Sequence, residues 1–319
     1  NGLIPNYLSV NGEEPAYNSV DASLWFFWAV QMYLQKTRKI KLVSKYLFET
    51  LTRILSAFSG GQVPQVFLHD NGLIWAGNEN TQLTWMDAQV QGKPVTPRYG
   101  YVVELNALWI NALSFYKELC EAQKVPFPPH LQTTLVRARE SFIMTFWRDD
   151  LGYLVDVVNE QGADDSIRPN QIIAVSLSGT VLDEAQQRQV VACVQQHLLT
   201  PYGLRTLSPR NPQYHAEYSG SPEQRDSAYH QGTVWPWLLG HFVEASLKCA
   251  TDPQQTAEVL LKRLSPLWHS HLRVACVGGV SEIFNGDPPH TQKGAMHQAW
   301  SVAEVIRAIT LLENVGNSL

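Results

Sequence analysis

The sequence is poor in charge and has no long apolar run. Of its 319 residues only 17% are charged, against roughly 25% in an average soluble domain. The 24 Lys and Arg against 29 Asp and Glu leave a formal net charge of −5 with no block of one sign. Grooves for nucleic acid and anionic membrane surfaces need clustered cations, so neither is an expected partner, and a neutral ligand is. No stretch approaches the roughly 18 apolar residues of a membrane span. Asn1 to Ser9 has neither the basic start nor the apolar centre of a secretory leader. The chain opens on Asn1 and not on a methionine, from which further chain of the same protein, helices or an N-terminal domain, is expected upstream.

Signatures of cofactor and covalent chemistry are missing too. Gly60-Gly61 and Gly278-Gly279 are isolated pairs without a phosphate-binding lysine, and there is no Gly-x-Ser-x-Gly elbow. His69, His215, His230, His241 and His297 form no His-x-x-x-His pair, and Cys120, Cys193, Cys249 and Cys276 match no metal-ligand spacing. The expectation is no metal and no cofactor, with the cysteines as buried free thiols in a reducing compartment, the cytoplasm. What is abundant is aromatic: ten Trp and twelve Tyr. Such flat amphipathic rings serve as core filler or as platforms for sugar rings.

Helical periodicity dominates the chain. It predicts helices over Asp21 to Lys36, Lys39 to Phe58, Val102 to Glu121, Pro128 to Trp147, Asn170 to Leu177, Asp183 to Leu198, Tyr229 to Cys249, Pro253 to Leu267 and Gln292 to Leu312. Strand alternation is nearly absent, Gly152 to Val158 being the best candidate. Short turns follow Lys36, Glu121, Leu177 and Cys249, whereas long loops fill residues 59 to 101, 148 to 168, 199 to 228 and 268 to 291. Loops of that length in a compact domain are usually functional.

Helices that follow long loops open on polar residues, often with a tryptophan. Asp21, Glu104, Asn170, Gln231 and His297 mark these openings, spaced by 83, 66, 61 and 66 residues. A degenerate repeat of about one helix pair plus one long loop fits a toroid, an inner ring of helices wrapped by an outer ring, with a cavity at the inner N-terminal ends. Helix capping alone would explain one Ser, Thr, Asp or Asn per start, but not the gathered Glu, Gln, His and Trp. Five inner and four outer helices are expected here; a closed ring of six pairs would need three more upstream of Asn1.

Two loops carry candidate acid–base chemistry. In Gln82-Leu83-Thr84-Trp85-Met86-Asp87-Ala88, the Asp87 carboxyl sits among apolar neighbours that would desolvate it and hold its proton, as a general acid requires; a turn-capping surface aspartate is the alternative. In Gly278-Gly279-Val280-Ser281-Glu282-Ile283-Phe284-Asn285, paired glycines and apolar flanks suit Glu282 as a positioned base; a salt bridge to Arg273 or Lys293 is the alternative. Two carboxyls at one cavity mouth are the requirement of glycoside hydrolysis. Trp85, Trp235 and Trp237 would then stack on a glucose ring, while amides and His230 or His297 bond its hydroxyls.

Six segments in order across nearly the whole chain resemble one family: Asn18-Ser19-Val20-Asp21-Ala22-Ser23-Leu24-Trp25, Gln82 to Ala88, Arg168-Pro169-Asn170-Gln171, Thr200-Pro201-Tyr202-Gly203-Leu204-Arg205-Thr206-Leu207, Tyr229-His230-Gln231-Gly232-Thr233-Val234-Trp235-Pro236-Trp237 and Ser281-Glu282-Ile283-Phe284. Together they are similar to the C-terminal domain of glycogen debranching enzymes, the amylo-α-1,6-glucosidase family. The resemblance implies an all-α (α/α)6 toroid and hydrolysis, with inversion, of the single α-1,6-linked glucose left at a trimmed branch point of glycogen or limit dextrin. It implies Asp87 as general acid and Glu282 as general base, with carboxyls about 6.5–9.5 Å apart to admit water. It also implies a pocket lined by Asp21, Arg98, Glu104, Asn170, Gln171, His230, Gln231 and Trp235. The sequence departs from the family pattern at Asn285, where many relatives carry Asp, and in the first helices of the ring and the partner domain. Two other readings stay open: another toroid exo-glucosidase acting on maltose, isomaltose or trehalose, and a non-catalytic glycan-binding module.

Overall fold

The computed structural model describes residues 2–8, 11 and 14–316. Its frame is helical: α1 (Asp21–Thr37), α2 (Ile40–Tyr46), α3 (Phe48–Ser59), α4 (Val103–Gln123), α5 (Pro129–Phe146), α6 (Gln171–Ser176), α7 (Glu184–His197), α8 (Pro222–Ala228), α9 (Leu239–Cys249), α10 (Pro253–His269) and α11 (Ala299–Gly316). Among the described residues no helix is long and apolar enough to cross a membrane.

The periodic stripes become buried faces. Leu24, Phe27 and Val30 of α1 are buried, and Arg38 closes that helix in a left-handed conformation (φ 58°), its N–H bonding the Leu34 carbonyl. α4 buries every residue from Val103 to Leu113, as expected of a helix enclosed by others. The helix expected over Lys39 to Phe58 is broken at Leu47 into α2 and α3. Neighbour relations place α1, α4, α6, α9 and α11 side by side in that order. α5 packs against α4, α7 against α6 and α9, and α10 against α9 and α11. The two ends of this inner series approach each other: the Arg307 guanidinium of α11 lies 5.1 Å above the Trp28 ring of α1. The main core fills the space between the layers, with Trp109, Phe115, Phe142, Phe146 and Phe242 fully buried.

The all-α expectation is corrected by the long loops, which fold into short antiparallel strands. Leu199–Thr200, Gly203–Arg205, Val234–Trp235, Ile283–Phe284 and Gln292–Lys293 form a five-stranded sheet in that order. Its register pairs Leu204 with Trp235, Val234 with Phe284 and Ile283 with Lys293. Tyr101–Val102, Val157–Asn159 and Gly162–Asp164 form a three-stranded sheet, and three two-stranded hairpins complete the set among the described residues. Buried loop backbone must find hydrogen-bond partners, and pairing loop against loop satisfies it without adding helices.

The segment Tyr229 to Leu238 is the largest departure from the predicted helices. Gly232 takes φ 150°, its Cα packed against the His215 carbonyl so closely that a Cβ would collide. Val234–Trp235 then join the sheet, and Pro236–Leu238 form one 3₁₀ turn before α9 starts. Of the cysteines, Cys120 is buried and the other three are half-buried, all four with free thiols.

Candidate active site

A cavity of about 510 Å³ opens between the N-terminal ends of α1 and α11, the turn before α9, and the Thr84–Asp87 loop. Asp21, Trp25, Trp85, Asp87, Tyr229, Trp237 and Trp300 line it, together with Trp28, His241 and Glu304. Trp237 stacks on Trp300 (5.1 Å, 12°) and meets Trp85 edge-on (5.1 Å, 89°). The hollow is therefore walled by flat rings, with carboxyls at the Asp21–Asp87 side.

The Asp87 backbone is pinned by its neighbours. Trp85 donates its indole N–H to Asn170 Oδ1 (2.8 Å), Met86 is buried beside Arg168 and Asn170, and the Ala88 carbonyl accepts from the Val95 N–H (3.0 Å). The Asp87 side chain is left open to the cavity. Protein atoms nevertheless crowd around the carboxyl, and this desolvation raises its pKa above the usual aspartate value, against a lowering bond from its own backbone N–H. Deeper in, Asp21 is 3% exposed. Burial first, then the like charge of Asp87, raise its pKa, while bonds from the Ser19 hydroxyl and the Trp85 and Ala22 N–H groups oppose the shift.

Glu282 lies in the loop just before the Ile283–Phe284 strand. Its Oε2 accepts from the Ala295 N–H (2.8 Å), its Oε1 from the Tyr229 phenol (2.5 Å) and from Gln298 Nε2 (3.4 Å). Gly294, in the left-handed region at φ 67°, lets the carboxylate lie directly against the backbone, where a Cβ would overlap Oε2. The salt-bridge alternative is not what the geometry provides, since the carboxylate's bonds come from a phenol, an amide side chain and a backbone N–H. Tyr229 lies within electrostatic reach of both Asp87 and Glu282, and its phenol pKa is pushed up by burial first and then by the Glu282 carboxylate. Tyr229 thus joins Glu282, which does not itself line the hollow, to the cavity that Asp87 lines.

Behind this wall lies a buried ionic frame. Arg98 is clamped by Glu104 (2.5 Å at each of Nη1 and Nη2) and by Asp156 (2.6 and 3.0 Å). Burial works against its charge, but Asp156 and Glu104 outweigh it and drive the Arg98 pKa up. Asn170 donates to Asp156 Oδ1 (2.8 Å), and Arg168 donates to Gln231 Oε1 (2.8 Å) and to the His230 carbonyl (2.9 Å). Arg98, Glu104, Asn170 and Gln231 are therefore in the frame that holds the cavity wall and not in the wall itself.

Of the residues singled out in the sequence, Asp21, Trp85, Asp87 and Trp237 line the cavity. Trp235 lies one layer back, its indole N–H on the Tyr229 carbonyl (3.1 Å). His230 stacks on Trp235 (5.3 Å), and burial, then Arg168 and Arg98, lower its pKa to about 3, so the ring is neutral. Both His230 nitrogens, Gln171 Oε1 and Trp237 Nε1 are buried without a hydrogen-bond partner. His297 is exposed, its ring near Cys276 Sγ (3.8 Å). Asn285 does not touch Glu282; its Oδ1 accepts from the Tyr218 N–H (3.0 Å). Sequence reasoning missed Tyr229 although it adjoins His230, and missed Trp25, Trp28, His241, Trp300 and Glu304 on the helix faces. Asp156 sits in the Gly152 to Val158 run, where no motif marks it.

The sequence model of the amylo-alpha-1,6-glucosidase family matches residues 1–307. The chain belongs to this glycoside hydrolase family. It is 26% identical over 407 aligned positions to the glycogen debranching enzyme of Saccharomyces cerevisiae, an alignment that covers 95% of this chain and 26% of that protein. The chain thus spans about a quarter of the length of this curated relative. Among solved structures it is similar to the GH63 mannosylglycerate hydrolase from Thermus thermophilus in complex with glucose, at 16% identity and a TM-score of 0.48. The same enzyme with Tris and D-glycerate matches at 15% identity and a TM-score of 0.48. Each covers 68% of this chain and 46% of the matched chain.

Proposed function

We propose that this family member is an inverting amylo-α-1,6-glucosidase, which removes the single α-1,6-linked glucose at a trimmed branch point of glycogen or limit dextrin. The observation that supports the reading is a ring-walled cavity lined by Asp87 and Tyr229, with Glu282 bonded to the Tyr229 phenol and the Asp87 pKa raised toward proton retention. Asp87 gives its proton to the glycosidic oxygen as the C1–O bond breaks; a water adds to C1 from the opposite face, and Glu282 receives that water's proton. The stacked indoles of Trp237 and Trp300 and the edge of Trp85 supply apolar faces for a glucose ring, and the unpartnered Trp237 N–H supplies a donor for one of its hydroxyls. Asp21 would hold a second hydroxyl, with Arg98, Glu104, Asn170 and Gln231 keeping the wall in place. Gln171, His230 and Trp235 support it from behind, and His297 borders the Glu282 loop. In this reading α1, α4, α6, α9 and α11 are five inner helices of an (α/α)6 ring, and the protein works in the cytoplasm.

The test is glucose release from a phosphorylase-trimmed dextrin, followed by proton NMR from the first turnovers. β-Glucose as the first product, with Asp87→Asn and Glu282→Gln each lowering kcat by about 100-fold or more and leaving the fold intact, is the expected result. α-Glucose first would exclude inversion. Faster turnover of maltose, isomaltose or trehalose would move the substrate to another exo-glucosidase class, and dextrin binding without turnover by the full-length protein would leave a glycan-binding module.

A further inference from the structure

Tyr229, and not Glu282, forms the wall of the cavity on the side where the base is expected. Its phenol oxygen is 2.5 Å from Glu282 Oε1, while Oε2 is occupied by the Ala295 N–H. The tyrosine ring is held on several sides, by Tyr218 (5.4 Å), His230 (4.7 Å) and Trp235 (5.0 Å). Its carbonyl accepts from Thr233 Oγ1 (2.5 Å) and Trp235 Nε1 (3.1 Å). Tyr218 is in turn fixed by Asn285, three residues past Glu282, so one loop sets the position of both the carboxylate and the phenol facing it.

We propose that Tyr229 relays the proton of the attacking water to Glu282. This rests on the two-carboxylate reading above and deepens it. As the water oxygen bonds to C1 and the glycosidic C1–O bond takes the Asp87 proton, the water's proton passes to the phenol oxygen, and the phenol's own proton passes to Glu282 Oε1. The tyrosine ends as it began, Glu282 is protonated, and the negative charge it carried now rests on Asp87, so the total charge is unchanged. The upward shift of the phenol pKa by burial and the adjacent carboxylate keeps it protonated before turnover, so the two transfers are concerted.

The experiment compares limit dextrin with α-glucosyl fluoride, whose leaving group departs without a proton and so reports the base alone. Asp87→Asn keeps fluoride hydrolysis. Tyr229→Phe and Glu282→Gln each lower kcat on both substrates by about 100-fold or more, with KM and melting temperature little changed, and the double variant is no slower than the slower single. Replacing Tyr229 by 3-fluorotyrosine, which keeps the hydroxyl, retains activity within a few fold, separating the proton path from ring packing. Tyr229→Phe retaining more than a tenth of kcat on the fluoride, losses that multiply in the double variant, or a 3-fluorotyrosine protein as slow as the Phe variant would each overturn the relay. An active Glu282→Gln protein, or a wild type that hydrolyses neither substrate, instead overturns the two-carboxylate reading on which the relay rests.

Discussion

Gly294 is the residue whose replacement most directly separates stability from chemistry. At φ 67° it occupies the left-handed region, and an added Cβ would overlap Glu282 Oε2. Gly294→Ala therefore costs about 1 kcal/mol or somewhat more through the backbone and pushes the carboxylate off the Ala295 N–H. Because the obstructing atom is the end of a flexible side chain, the fold survives and Glu282 moves. Displacement of a reacting group by about 1 Å can cost about 100-fold in rate, so kcat should fall far more than the denaturation midpoint; an unchanged kcat would show that the Ala295 contact does not set the base. Asp156 is the opposite case. It is 2% exposed and joins Arg98, Arg168 and Asn170, so Asp156→Ala leaves two buried guanidinium groups short of a counter-charge. A loss of about 3–5 kcal/mol is expected, read from urea unfolding, with activity lost by unfolding and not by a change in mechanism.

Short elements are where the sequence was hardest to read. α1, α4, α5 and α7 run within two residues of their predicted ends because their apolar stripes are uninterrupted and their stops are local, as at Arg38. α8 has seven mostly polar residues and no stripe, yet its start carries a capping box: Ser221 accepts from the Gln224 N–H while Gln224 Oε1 accepts from the Ser221 N–H. The Tyr229 to Trp235 run reads as helix because its composition permits one; its strand depends on partners 31 and 50 residues away, Leu204 and Phe284, which no local pattern reveals. Asp87 and Glu282 stand out in the sequence as candidates because each has an apolar, glycine-bearing or aromatic loop around it. The Tyr229–Glu282 bond joins positions 53 apart and does not. α8 matters because its last turn delivers Tyr229, whose N–H bonds the Asp226 carbonyl (3.2 Å). Ser221→Ala should remove about 1 kcal/mol of local stability and raise amide exchange across 222–229 with little effect on α4. Exchange rising equally in α4 would mean that α8 is not a separate unit.

At the scale of the whole molecule, buried histidines with lowered pKa values favour loss of stability in acid. His230 has its pKa lowered from 6.5 to about 3, by burial and then by Arg168 and Arg98. His241 is lowered well below 6.5 by burial and then by Arg307. Between pH 6.5 and the folded value, the unfolded chain binds a proton at each that the native state refuses, so stability falls as pH falls, by about 1.4 kcal/mol per pH unit for each histidine. Asp21 and Asp87 act in the other direction. Their folded pKa values are raised, so the stability they contribute is fully present below the unfolded value near 3.8 and is lost as pH rises through the folded value. As pH falls from neutral the two effects oppose each other, the histidines removing stability and each aspartate that takes a proton in the native state lessening the slope. Urea unfolding at intervals from pH 7 to pH 4 reads the net slope. His230→Gln, which removes one titrating ring, should reduce the fall in stability below pH 6.5 by about 1.4 kcal/mol per pH unit. A variant with the wild-type slope would mean that His230 is protonated in the folded protein, and that the guanidinium groups behind the aromatic wall do not set its charge.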